Sequence, residues 1–305
     1  MSDKILSTVG IDGHAHVFPT DLPLVEDRRY APAYAAPVEQ YRSMLETHGM
    51  AHGVLVQPSF LGTDNRYLLA CLERYPRQFR GVVVIDPVAG LALLDDYHTR
   101  GVVGVRANLI GKPIPDFHHV AWRTLLERMR LLDWHLEVQI EAGRLAGVAQ
   151  PILRTGVRLV VDHFGRFDPR LGLDDAHFQD VLGLGKSRQV WVKISGAYRV
   201  SGAGADRRAM MRTARTAYAM LKDAYGMDRL LWGSDWPHTQ YEGTENYASA
   251  CALLDVLAID VSERDALLVH TPNELFHFQT AFARAPRPVS GRGAARPSDE
   301  NRPAG

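Results

Sequence analysis

Three short stretches of the chain carry residue types that could do chemistry together: Asp12-Gly13-His14-Ala15-His16, Asp162-His163-Phe164-Gly165-Arg166 and Trp232-Gly233-Ser234-Asp235-Trp236-Pro237-His238. Residues two apart on a strand project to the same face, so an extended segment brings His14 and His16 into one space. With His163 and Asp235 they supply three imidazoles and a carboxylate. Such a set can ligate a divalent ion whose bound water is the nucleophile. It can equally polarise a carbonyl while the carboxylate takes a proton from free water. Spacing does not separate these chemistries. The plainer alternative for His14 and His16, two imidazoles hydrogen-bonded at the rim of a core, is disfavoured because buried neutral imidazole pairs are uncommon without a metal or a substrate.

Basic residues indicate what such a site would hold. Arg106, Arg166 and Arg199 each fall at or just beyond the end of an apolar, strand-like run. Planar guanidinium groups grip carboxylates through two parallel hydrogen bonds, so three of them converging would select an anionic substrate. A structural salt bridge is as good an explanation for any single one. His238, three residues beyond Asp235, is placed either to donate to substrate or to cap the following loop. Trp232 and Trp236 read as packing residues around the acid.

The elements that must position these groups follow from periodicity. Strand candidates are Val9–His16, Gly53–Pro58, Arg80–Asp86, Gly101–Asn108, His135–Ile140, Arg158–His163, Val190–Ser195 and Arg229–Asp235. Between them lie segments of helical period: Val38–Gly49, Asn65–Tyr75, Leu91–Arg100, Val120–Leu132, Arg144–Arg154, Asp174–Leu184, Asp206–Tyr225 and Glu245–Leu257, with a short pair near Ser262–Val269 and Pro272–Phe282. Eight strand-then-helix units predict an α/β fold, a single (β/α)8 TIM barrel. An open doubly wound sheet would seldom need eight units, and the chain lacks a Gly-rich phosphate turn. The barrel puts its working groups at the C-terminal ends of the strands, which is where His16, Arg106, His163 and Asp235 fall.

Taken together, the three motifs resemble the amidohydrolase-related group that contains 2-pyrone-4,6-dicarboxylate lactonase, over roughly residues 9 to 280. Gln57-Pro58-Ser59-Phe60-Leu61-Gly62-Thr63-Asp64-Asn65 and Gly104-Val105-Arg106-Ala107-Asn108 resemble the same group. The resemblance implies a (β/α)8 hydrolase of a cyclic ester, with Asp235 activating water and His14, His16 and His163 contacting the attacked carbonyl. It further implies substrate contacts from Arg106, Arg166, Arg199, Tyr30 and Ser59, with His238 nearby. Two positions depart from the pattern. Lys112 stands where a second arginine is expected six residues after Arg106, and Gln139 stands where strand five would carry a tyrosine. Lys112 still neutralises an anion, as a point charge rather than a fork.

The pyrone lactonases work without metal, so no cofactor is required in the leading expectation: hydrolysis of 2-pyrone-4,6-dicarboxylate or a similar acidic lactone in aromatic catabolism. In the wider group the residues corresponding to His14, His16, His163 and Asp235 surround zinc or another divalent ion. The alternatives are therefore a zinc-dependent hydrolase of sulfomuconolactone or a sugar-acid lactone, or a metal-dependent decarboxylase of the same superfamily.

Composition bounds the rest. The 305 residues are 46% hydrophobic, enough for a substantial core, and 35 Lys+Arg balance 35 Asp+Glu, which gives no electrostatic reason to expect nucleic acid or an anionic membrane as partner. Two cysteines, Cys71 and Cys251, do not make a disulfide framework. With neither a basic-then-apolar start nor a long apolar run, the expectation is a cytoplasmic protein acting on a small anionic lactone, and a homo-oligomer is compatible with the sequence. Residues 1–283 are expected to form the barrel. Residues 284–305, rich in Pro, Gly and Arg, are expected to be a disordered tail.

Overall fold

Eight short runs rich in Val, Ile and Leu form parallel strands: β1 (Gly10–Ala15), β2 (Met50–Val56), β3 (Phe79–Val83), β4 (Val102–Asn108), β5 (His135–Gln139), β6 (Arg158–Val161), β7 (Val190–Ile194) and β8 (Leu230–Trp232). They pair in sequence order in one sheet, each parallel to the next. The computed structural model describes residues 10–21, 23–202, 204–257 and 260–278. The tail expected from residue 284, Val9 and the last residues of the helix expected to reach Phe282 lie outside them.

Helices α1 (Val38–Thr47), α2 (Arg66–Arg74), α3 (Leu94–Thr99), α4 (Val120–Leu131), α5 (Ala142–Leu153), α6 (Ala176–Gly183), α7 (Arg207–Tyr225) and α8 (Tyr247–Val256) follow the strands in turn. Their apolar faces form the main core against the outside of the sheet. α9 (Val261–Asp265), a π-helical turn (Ala266–His270) and α10 (Thr271–Phe276) come last. Leu275 and Phe276 of α10 join Ile11, Val54, Val82, Val103, Val160 and Leu231 in a second cluster that fills the barrel interior below the mouth. This is the (β/α)8 barrel that the alternating pattern predicts.

The seam between β8 and β1 is closed by the chain after β8 rather than by a full ladder. Asp235 donates its backbone N–H to the His14 carbonyl (2.9 Å), and His16 donates to the Trp236 carbonyl (2.7 Å). Asp12 fastens the same seam. Its buried carboxylate accepts from the Ser234 backbone (2.8 Å), the Ser234 hydroxyl (2.6 Å), the Tyr247 hydroxyl (3.1 Å) and the His14 backbone (3.2 Å).

Element boundaries differ from the sequence expectation where chemistry begins. β6 stops at Val161 and β8 at Trp232 because His163 and Asp235 have left-handed backbone (φ 51° and 60°), which no strand accommodates. β3 stops at Val83, and Asp86 accepts from the backbone of Val88 and Ala89 to start the next turn. Only Leu94–Thr99 of the expected third helix is α-helical, preceded by a 3-10 turn over Ala89–Leu93. Among the described residues no helix is long and apolar enough to cross a membrane.

Candidate active site

β1 delivers the first two groups. His14 and His16 approach each other edge to face with Nε2 atoms 3.3 Å apart, and both are buried. His16 Nδ1 lies 2.7 Å from the Val56 carbonyl at the end of β2. A carbonyl can only accept, so His16 carries its proton on Nδ1 and presents the Nε2 lone pair. The third imidazole, His163, opens the 3-10 turn after β6, with Nδ1 2.9 Å from the Ser195 hydroxyl beyond β7. Its Nε2 is buried without a hydrogen-bond partner.

Asp235 meets these three rings from the loop after β8. Its Oδ2 is held twice, accepting from the Tyr198 hydroxyl (2.6 Å) and from Arg199 Nε (2.5 Å). Its Oδ1 has no hydrogen-bond partner and lies 3.7 Å from His14 Nε2 and 3.6 Å from His16 Nε2. Burial alone would raise the Asp235 pKa, but the Arg199 guanidinium holds it well below the usual carboxylate range. Burial, reinforced for His16 by Arg106, lowers the pKa of His16 to about 4, and burial lowers that of His163 to about 4 despite the attraction of Asp235. The resting site is thus a carboxylate among neutral imidazoles.

Close approach depends on Gly196, just past β7. Its φ is 56°, and a Cβ there would lie 3.0 Å from both Asp235 Oδ2 and His163 Nδ1. Non-glycine residues at left-handed φ cluster where a site fixes them against their preference, as His163 and Asp235 do here.

Above Asp235 a cavity opens at the C-terminal end of the barrel. Among the described residues its wall carries four arginines, Arg29, Arg106, Arg166 and Arg199, and a single acid, Asp235. Tyr30, Ser59 and Gln139 also line it. The Tyr30 hydroxyl, however, donates to Glu242 (2.6 Å), so its ring is what faces the cavity. Gln139 accepts from Arg106 Nη2 (2.9 Å) and so orients that guanidinium. Arg166 donates one arm to the Arg199 carbonyl, while its Nε is buried without a partner.

Two expected substrate contacts are not in this wall. Lys112 turns outward after the left-handed Gly111 and pairs with Asp27 at 2.7 Å. His238 is buried behind Tyr198, with Nδ1 3.4 Å from that hydroxyl. Arg29 takes the place expected of Lys112. It reaches in from the long loop before α1 and donates to Asn108 Oδ1 at 3.2 Å.

A buried layer of charge beneath the site was not anticipated. Glu137 of β5 and Lys193 of β7 pair at 2.5 Å; Asp162, just after β6, pairs with Arg106 of β4 at 3.2 Å. All four are buried and their formal charges cancel. Burial and the neighbouring Asp162 would raise the Glu137 pKa, but the facing cations, Lys193 first among them, lower it to about 2. The available signal was a charged residue inside an apolar strand: Val190-Trp191-Val192-Lys193-Ile194 and His135-Leu136-Glu137-Val138-Gln139 each place one two residues before a position at the mouth.

Histidines at the end of the first strand and just after the sixth, with an aspartate after the eighth, converging at the mouth of a (β/α)8 barrel, define a hydrolase-type barrel site. The chain belongs to the amidohydrolase family, whose model matches residues 11–278. It is 34% identical over 275 residues to the 4-sulfomuconolactone hydrolase of Rhizobium radiobacter, covering 87% of this chain and 89% of that one. Among solved structures it is similar to a Pseudomonas putida protein provisionally named 2-pyrone-4,6-dicarboxylic acid hydrolase, with 44% identity, TM-score 0.83 and coverage of 89% and 98% of the two chains. An Acinetobacter baumannii protein with the same provisional name, solved with citric acid bound, is 36% identical with TM-score 0.83, covering 88% of this chain and 99% of that one.

Proposed function

We propose that the protein hydrolyses a lactone bearing carboxylate or sulfonate groups, with Asp235 as the general base. The observation that carries this reading is the division of labour within one carboxylate: Oδ2 is fixed by Tyr198 and Arg199, and Oδ1, without a hydrogen-bond partner among the described residues, lies beside the His14 and His16 rings at the floor of an arginine-walled cavity. Water held by Oδ1 loses a proton to it and adds to the lactone carbonyl placed beside His16 and His163, the two imidazoles that line the cavity. The ring C–O bond then breaks, and the proton taken by Asp235 is the nearest one for the departing oxygen. Arg29, Arg166 and Arg199 hold the anionic substituents, with Arg106 behind them.

Relatives named as hydrolases of 4-sulfomuconolactone and of 2-pyrone-4,6-dicarboxylate support the substrate class, since both names describe acidic lactones. The citric acid in one of them is likewise a compact polycarboxylate. On this reading the protein serves the catabolism of aromatic compounds.

A second reading is favoured by one observation. One ring nitrogen each of His14 and His163 and one carboxylate oxygen of Asp235 lie within 4.8 Å of one another, a spacing that could hold a divalent cation. The ammonium of Lys193, 3.0 Å behind His14 Nδ1, does not fit such an ion.

The test is turnover of 2-pyrone-4,6-dicarboxylate and of 4-sulfomuconolactone, followed by loss of ring absorbance, with enzyme stripped of metal and its residual metal quantified. Opening of either lactone at undiminished rate after stripping supports the proposal. Turnover of neither lactone, with or without added zinc, overturns it.

A further inference from the structure

We infer that Lys193 is a positioning residue that fixes His14 with its proton on Nε2 and thereby closes this site to a divalent cation. Lys193 stands in the middle of β7 and is fully buried. Its Nζ contacts Glu137 Oε2 at 2.5 Å, His14 Nδ1 at 3.0 Å and Asp162 Oδ1 at 4.0 Å. An ammonium has donors and no acceptor, so the His14 Nδ1 facing it must offer a lone pair, and a neutral His14 then carries its proton on Nε2. The front of the ring leads independently to the same tautomer. His16, which donates from Nδ1 to Val56, presents only a lone pair at Nε2, and that lone pair faces His14 Nε2 at 3.3 Å. Donor meets acceptor only if His14 holds the Nε2 proton.

Metal-binding histidines have the opposite arrangement: the ligating nitrogen offers its lone pair and the other N–H is held by a carboxylate or carbonyl. The carboxylates for that are present behind His14, Glu137 Oε1 at 3.5 Å and Asp162 Oδ1 at 3.4 Å. Lys193 is closer than either and takes up their charge. The site therefore contains the rear half of a carboxylate–histidine–metal relay with an ammonium inserted into it. The proton so placed on Nε2 is held by His16 Nε2, which orders the two rings as a pair beside Asp235 Oδ1. Tautomer and cation affinity do not depend on the hydrolase reading.

The experiment compares the parent with Lys193→Met and with Lys193→Met/Glu137→Leu, the second of which removes one charge of each sign and so keeps the buried layer balanced. Nitrogen-15 histidine spectra, with His14 assigned by loss of its signals in His14→Asn, report the tautomer. Equilibrium dialysis against zinc reports affinity. The expected result is the Nε2–H form in the parent, the Nδ1–H form in the variants and about 10–100-fold tighter zinc binding in the variants, a gain abolished by adding His14→Asn. An Nδ1–H His14 in the parent, or zinc affinity unchanged in folded variants, overturns the inference. Neither arm needs a substrate, so failure here is distinguishable from failure of the lactonase reading.

Discussion

Replacing Asp235 by Asn tests the proposed chemistry most directly. The amide oxygen can occupy the Oδ2 position and still accept from Tyr198 and Arg199, which leaves the NH2 group where Oδ1 stood, beside His14 and His16. Shape is kept and the proton acceptor is lost. Among the described residues no other acid lines the cavity, and the nearest alternative acceptor, the His16 Nε2 lone pair, already faces His14 Nε2 at 3.3 Å. A positioned general base is worth about 10²–10⁴ in rate, and without a competent substitute the loss should fall near 10³, about 4 kcal/mol in the barrier. Because the arginine wall is untouched, KM should change little while kcat collapses. Initial rates from loss of lactone absorbance, with folding checked by circular dichroism, give both constants. A folded Asp235→Asn enzyme retaining kcat within about tenfold of the parent would refute Asp235 as the base.

The other expectations concern the cavity and its supports. Arg29→Ala should raise KM about tenfold with a smaller effect on kcat, the lower end of a charged hydrogen bond in a half-exposed loop. Lys112→Ala should leave both constants near the parent's, since its partner is Asp27 on the outer loop; a KM change as large as that of Arg29→Ala would restore Lys112 to the site. Gly196→Ala adds a Cβ at left-handed φ against Asp235 and His163, so a strain of about 1–3 kcal/mol should show as a lower melting temperature and a reduced kcat. For His16 and His163, whose folded pKa of about 4 lies below the ordinary 6.5, the unfolded chain binds more protons between those values. Stability measured by urea unfolding should therefore fall as pH drops from 6.5 towards 4, by on the order of 3 kcal/mol for each, and a flat profile would contradict their burial as neutral rings.

The barrel was legible because eight β-branched runs alternate with helical segments, and His14, His16, His163 and Asp235 because each lies where such a run ends. Backbone detail was hidden at those same points: His163 and Asp235 read as the last residues of strands, yet both are turned out of the ladder by left-handed backbone. Arg29 could not be read because the chain between β1 and α1 has no regular period, and its reach to Asn108 is a tertiary fact. Lys112 misled for a related reason, since counting six residues from Arg106 assumes a continuous direction that Gly111 breaks. Glu137 and Lys193 sit in apolar strands far apart in sequence, and only closure of the barrel brings them within 2.5 Å.

That layer bears on why a site so similar in outline to a metal centre need not be one. Burying four charges is expensive, and a well-packed apolar layer in its place would often be no less stable. Stability alone is therefore a weak explanation for Lys193 and Glu137. Their position supplies a better one, because the ammonium contacts the rear nitrogen of the imidazole whose front nitrogen faces Asp235 Oδ1 at 3.7 Å. A proton fixed at the front of that ring makes it a donor to His16 Nε2, and a lone pair there would make it a ligand to a cation. Which chemistry the three imidazoles and the carboxylate perform is thus decided one layer below them, by what stands behind His14.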